Sequence, residues 1–199
     1  MRVVGLIGGI GSGKSEASAI LASMGAVVID ADKVGHAVYE PGTAGFRRVV
    51  EAFGAEVVGA DGAIDRKKLG ARVFSEPGQL ERLNAIVHPL IREEIERRLD
   101  AERSRGEAPL ALVEAAILLE AGWRPLVDEV WVVSAAPQTV RERLAASRGL
   151  SAEEVDARVA KQMPDADRRA AADVVIENDA DREALRARLH DLWTARISN

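Results

Sequence analysis

Five short runs along the chain are apolar almost without interruption: Arg2–Ile7, Ala26–Asp30, Leu110–Glu114, Glu129–Val133 and Asp173–Glu177. Each is rich in Val, Ile and Leu and does not alternate with polar residues. That pattern predicts strands covered on both faces, as in a parallel sheet. Between the runs, apolar residues recur at helical spacing, so right-handed β-α-β units and a layered α/β fold are predicted. The stretch from Asp30 to Leu110 is much longer than one crossover helix needs and reads as an insertion of several helices. One is predicted over Thr43 to Phe53, one over Arg66–Phe74 capped by Asp65, and one capped by Ser75 with Pro77 in its first turn. A long helix started by Pro89 follows, with Ile91, Ile95 and Leu99 on one face and an end near Gly106. Pro137–Ala172 reads as a second insertion. It holds a helix ending near Gly149, then one opened by a Ser151–Glu154 capping box and closed by Pro164. A last helix is predicted over Arg182–Ile197, packed through Leu185, Leu189, Leu192 and Trp193.

Composition narrows the function classes. A chain of 199 residues with 47% hydrophobic content can bury a full core as one globular unit. Its formal net charge of −5 argues against a broadly basic nucleic-acid binder. With no cysteine, disulfides, thiolate zinc sites and cysteine nucleophiles are excluded. Three widely spaced histidines, His36, His88 and His190, make a poor metal set. The apolar run from Val3 to Ile7 is too short to span a bilayer, and no signal pattern precedes it. A cytoplasmic protein without membrane or nucleic-acid partners is expected, with a monomer favoured.

The densest chemistry lies in Leu6–Ser18, LIGGIGSGKSEAS. Gly8 to Ser15 fit G-x-x-x-x-G-K-[ST], with a predicted strand before and a predicted helix after. Glycines there let successive backbone N–H groups point inward at phosphate oxygens, an approach that side chains would obstruct. The positive end of the following helix adds to the attraction. Lys14 would reach the β- and γ-phosphates of a nucleotide, and Ser15 would offer its hydroxyl to Mg²⁺.

Three phosphate-binding classes compete. A GTPase would carry N-K-x-D, which is absent; Asp32-Lys33-Val34-Gly35 matches D-x-x-G but follows the second strand too closely to be the usual switch. A motor or transporter ATPase would place an acid after an apolar run, as Glu114 does in LALVE. A small-molecule kinase needs an acceptor pocket, a carboxylate near the acceptor hydroxyl, and mobile cations over the phosphates. Asp30 and Asp32 in VIDAD lie two apart where the second strand leaves the sheet, so both can face one side. Ligands bind at the carboxyl ends of such strands. Asp32 there could accept a hydroxyl proton, or could simply cap the helix running toward Tyr39. Glu114 is a candidate for the acid near the metal, or a solvent-facing strand end. Pro137–Ala172 carries seven Lys and Arg residues. Most read as solvated helix pairs; Arg148, beside Gly149, is the first candidate for a cation aimed inward and Arg158 the second.

Beyond this loop, VIDADKVGHAVYEPGT at Val28–Thr43, LNAIVHPLI at Leu83–Ile91, VEAAILLEAGW at Val113–Trp123 and ADVVIEN at Ala172–Asn178 make the chain resemble the dephospho-coenzyme A kinase family over nearly its whole length. The resemblance implies a five-stranded P-loop kinase core (1–40, 107–136 and 171–199), a helical acceptor-binding insertion (41–106) and a lid (137–170). It implies transfer of the γ-phosphoryl of ATP to the ribose 3′-hydroxyl of dephospho-CoA, giving CoA and ADP, the last step of CoA synthesis. By the same resemblance Asp32 matches the catalytic aspartate. Gly9, Gly11, Ser12, Gly13, Lys14, Ser15 and Glu16 fall in the ATP-phosphate loop, and Asn178 falls near the adenine end. His88 lies in the insertion facing the acceptor, and Arg158 with Gln162 matches an R-x-x-x-Q pattern of the lid. Departures are Glu16 where Thr is frequent, Glu114 where Asp is common, and Ser147 where the lid usually has its arginine, with Arg148 one later. Two other classes stay open: a kinase resembling the nucleoside monophosphate kinases, and a non-catalytic nucleotide-binding switch.

Overall fold

A computed structural model of the chain describes residues 1–197. All five apolar runs are strands: β1 (Arg2–Gly8), β2 (Val27–Asp30), β3 (Leu110–Glu114), β4 (Glu129–Ser134) and β5 (Val174–Glu177). They form one sheet in the order β2-β3-β1-β4-β5. β1 pairs in parallel with β3 (Val4 opposite Leu112) and with β4 (Leu6 opposite Trp131), and β4 pairs in parallel with β5. The order changes direction at β1, and the loop after β1 therefore opens at the crevice where ligands bind in such sheets.

Between the strands run α1 (Lys14–Ser23), α2 (Ala31–Ala37), α3 (Ala44–Phe53), α4 (Arg66–Ser75), α5 (Gln79–Arg105), α6 (Pro137–Arg148), α7 (Ala152–Val159), α8 (Asp165–Ala171) and α9 (Arg182–Arg196). On one face of the sheet, alternate residues Val4 and Leu6 of β1 pack with Leu110, Leu112, Trp131, Val133 and Ile176. Ala17, Ile20 and Leu21 of α1 and Leu185 and Leu189 of α9 cover them. Trp131 is fully buried and its indole N–H donates to Glu129 at 2.8 Å, so the largest core side chain leaves no polar atom unserved. On the other face, a Cβ at Gly5 would stand 2.6 Å from Leu118 Cδ1, which explains a glycine inside a strand.

The chain divides into two compact units: Met1–Ile29 with the chain from Asp100 onward, and Asp30–Leu99. The 137–170 segment falls within the first unit.

Several predicted caps are in place. Asp65 accepts from Lys67 and Lys68, and Ser151 and Glu154 form the reciprocal capping box of α7; Thr43, predicted as the first residue of its helix, is instead the N-cap of α3. Gly149 closes α6 in the left-handed conformation, at φ 64°. Three other predicted boundaries are different. Ser75 is the last residue of α4 and caps nothing, and the next helix starts at Gln79. Pro89 lies inside α5, not at its start. The buried Val87, Ile91, Ile95 and Leu99 make one continuous stripe across the proline, and that burial offsets the lost hydrogen bond. Pro164 does not close α7, which ends at Val159; it stands at the N-cap of α8.

Candidate active site

The loop between β1 and α1 is built by two left-handed glycines. Gly11 has φ 74° and Gly13, the N-cap of α1, has φ 94°, conformations in which a side chain is strained. Space is tight for side chains as well. A Cβ on Gly13 would meet Asn178 Nδ2 at 2.1 Å, and one on Gly9 would meet Arg168 Nη2 at 2.7 Å. The loop is therefore held from outside by Asn178 and Arg168, in the glycine-rich form whose backbone N–H groups suit an anion.

Asn178 is buried just past β5, and its Nδ2 donates to the Ser12 carbonyl at 2.8 Å. Asn178→Ala leaves that carbonyl unserved, which costs about 1–3 kcal/mol. A lower thermal midpoint together with a raised KM for ATP is the expected result. An unchanged KM would separate Asn178 from the shape of the loop.

Lys14 begins α1, and its Nζ pairs with Glu114 Oε1 at 2.6 Å, both side chains largely buried. Ser15 Oγ donates to the same oxygen at 3.1 Å. Burial pushes the Glu114 carboxyl up, but hydrogen bonds from Lys14, Ser18 and Ser15 and the Lys14 charge outweigh it and leave it below its ordinary value. Glu114 is thus neither solvent-facing nor idle. The ammonium, hydroxyl and carboxylate that the sequence suggested for phosphate and metal form one cluster at the end of β3. Among the described residues no group of three or more His, Asp or Glu could hold a metal by itself. The oxygen donors of Ser15 and Glu114 suit a hard cation that completes its shell with phosphate oxygens.

Beside this cluster lie two cavities. One is lined by Gly13, Glu16, Arg143, Asn178, Asp181 and Leu185 among others. Arg143 Nη2 there donates to the Ala180 carbonyl at 3.2 Å, while its buried Nη1 has no partner. Glu16 pairs with Arg182 at its rim. The other cavity is lined by Gly9, Ile10, Ser12, Gln162, Asp165 and Arg168, with apolar walls from α6 and α7. Gln162 Oε1 accepts from the Ile10 N–H at 2.9 Å, so the segment after α7 is tied to the loop.

The arginines of the 137–170 segment sort differently from their sequence order. Arg148 is on the exposed last turn of α6 and Arg158 on an exposed turn of α7, and neither lines the cavity at the loop. Arg141 pairs with Asp156, and Arg169 with Glu177. Arg168, which the sequence did not single out, is the buried one. No spacing separates it from Arg169; only the phase of the short α8 does.

In the second unit, Asp30 caps α2. Its Oδ1 accepts from Asp32 N at 3.0 Å and Lys33 N at 3.1 Å. Burial pushes the Asp30 carboxyl up, but these N–H groups and the Lys33 ammonium outweigh it and hold it low. The strand stops at Asp30, so the two aspartates are not alternate residues of one strand as expected; Asp32 is in the first helical turn. It is exposed, and the cap it could have supplied is already made. His88 lies within α5; it is half-buried, and burial lowers its pKa. Among the described residues, no helix is long and apolar enough to cross a membrane.

Comparison with known proteins gives one consistent answer. The family profile described as dephospho-CoA kinase matches residues 2–184. The curated dephospho-CoA kinase of Geobacter sulfurreducens is 46% identical over 197 residues, 99% of this chain and 100% of that protein. That of Streptomyces avermitilis is 45% identical over 97% of this chain and 93% of its own. The crystal structure of TT1252 from Thermus thermophilus superposes with a TM-score of 0.80 at 37% identity, covering 98% of this chain and 97% of that one. Shikimate kinase from Bacteroides thetaiotaomicron, 12% identical over 98% of this chain and 97% of its own, shares the fold at a TM-score of 0.56.

Proposed function

The chain belongs to the dephospho-CoA kinase family, and from that premise we propose how its residues divide the work of phosphorylating dephospho-CoA with ATP. The observation that carries the reading is the Lys14–Ser15–Glu114 cluster at the mouth of a glycine cradle, in a chain that matches dephospho-CoA kinases from end to end.

The backbone amides from Gly11 to Ser15 hold the phosphates of ATP, and the start of α1 adds its positive end. Lys14 leaves Glu114 for the β- and γ-phosphates. The nucleoside lies toward the cavity of Gly13, Arg143 and Asn178, whose spare Arg143 donor and buried amide suit a polar ring. Mg²⁺ would be held by Ser15 and phosphate oxygens, with Glu114 beside it, and would supply neutralisation of phosphate charge. Asp32 accepts the proton of the ribose 3′-hydroxyl as that oxygen attacks the γ-phosphorus, and ADP departs. His88 lies in the unit given to the acceptor. Cations of the 137–170 segment offset charge on the transferring group.

The test is ADP release from ATP and Mg²⁺ with dephospho-CoA present or absent. Release that depends on dephospho-CoA and yields CoA is expected. Transfer to a nucleoside monophosphate instead, or no transfer to any acceptor, would overturn the reading.

A further inference from the structure

Arg168 is 7% exposed, and its Nε is buried without a hydrogen-bond partner. Among the described residues its ion-pair partner is Asp165, at 3.7 Å, beyond hydrogen-bond reach. The other oxygen of that carboxylate, Oδ2, accepts from Ser134 Oγ at 2.7 Å. A guanidinium has five donors and cannot shed its proton, and here the buried Nε donor has no acceptor within the protein. A folded chain keeps such a group when something else completes it.

Its surroundings say what that is. Arg168 Nη2 lies against Gly9, where a Cβ would stand 2.7 Å from it. Six residues earlier, Gln162 clamps the Ile10 N–H. The clamp and the cation therefore hold the first half of the phosphate loop between them, from one continuous segment. On the reading above, amides from Gly11 to Ser15 already enclose the inner phosphates. The terminal phosphate, which carries the most charge and is the group transferred, has the most to gain from a further donor besides Lys14.

We propose that Arg168 is the arginine that positions the terminal phosphate of ATP, with Gln162 as the tether that brings it to the loop. It binds in bidentate fashion, as a planar fork does on a phosphate, and gives up its loose pairing with Asp165. Arg148 and Arg158, on exposed turns, need no part in this contact. The inference rests on the kinase reading of the same site.

The experiment compares affinity for the non-hydrolysable ATP analogue AMP-PNP with that for ADP, by calorimetry with Mg²⁺, in the full chain. The wild type should prefer AMP-PNP. Arg168→Met should erase that preference, a change of roughly ten- to hundredfold, the strength of hydrogen bonds to a charged group. Arg168→Lys, which keeps the charge and spares the fold, should lose most of it and lower kcat more than it raises the KM for dephospho-CoA. A merely structural role weakens both nucleotides by one factor and leaves their ratio alone; that result, or a wild type indifferent to the terminal phosphate, overturns the proposal. If Arg168→Met does not fold, Arg168→Lys decides. Wild-type chain that makes no CoA fails the functional reading instead, and the nucleotide ratio still reports on Arg168.

Discussion

Asp32→Ala lowers turnover with dephospho-CoA by about 10²–10⁴-fold, the usual span for a lost general base, while ATP affinity stays near that of the wild type. The separation is possible because of what Asp32 does not do. Its helix is capped by Asp30, which takes the amides of Asp32 and Lys33. Removing the exposed Asp32 carboxylate therefore deletes no cap and empties no core position, and stability should move by no more than about 0.5 kcal/mol. Asp30→Ala is the informative contrast, because it removes the cap and costs about 1 kcal/mol. Asp32→Asn refines the result: an amide can still orient a hydroxyl but cannot take its proton. Steady-state rates and nucleotide titration on the three variants settle it. Near-normal turnover in Asp32→Ala removes that residue from the mechanism, and an Asn variant as active as the wild type reduces it to an orienting group.

What could be read from the chain before folding follows the range of the interaction concerned. The strands were legible because a buried parallel strand must be apolar on both faces, and a run such as LALVE has few other homes. Local caps were legible for the same reason, since Asp65 and the Ser151–Glu154 box satisfy amides within a few residues. Pro89 misled because its local rule, a helix start, is overridden by a tertiary one: the stripe from Val87 to Leu99 buries on both sides of it. Ser75 offered the right side chain for a cap, but α4 continues through it. The site shows the same division. Gly11 and Gly13 shape their own backbone turn and Lys14 and Ser15 follow it into α1, an order the chain itself carries. The Glu114 pair with Lys14 joins residues a hundred positions apart, and the tether from Gln162 to Ile10 joins residues 152 apart. Arg168 and Arg169 are identical in local terms, and only packing makes one a buried cation and the other the partner of Glu177.

Lys14→Met should reduce kcat/KM by about 10²–10³-fold or more, as loss of one preorganised charge-stabilising donor does, and should weaken ATP binding with it. Both fall because the ammonium serves the bound phosphates before transfer and the growing charge during it. Lys14→Arg should not restore the wild type: a broad fork cannot occupy the place of a point charge beside a carboxylate 2.6 Å away and a hydroxyl on the same oxygen. The substitution also leaves a mark that needs no substrate. In the wild type the Glu114 pKa is lowered, so its contribution to stability is present above the unfolded value of about 4.5 and is lost as pH falls through the folded value. Without Lys14, burial is opposed only by the hydroxyl hydrogen bonds, and the Glu114 pKa rises. The variant is therefore less stable than the wild type at neutral pH, and the gap narrows as acid protonates Glu114 in both. Thermal melts across that range test the pairing, and nucleotide titration tests the phosphate contact. A stability gap that ignores pH would break the Lys14–Glu114 link, whereas undiminished ATP binding would show that the cradle holds phosphate without its lysine.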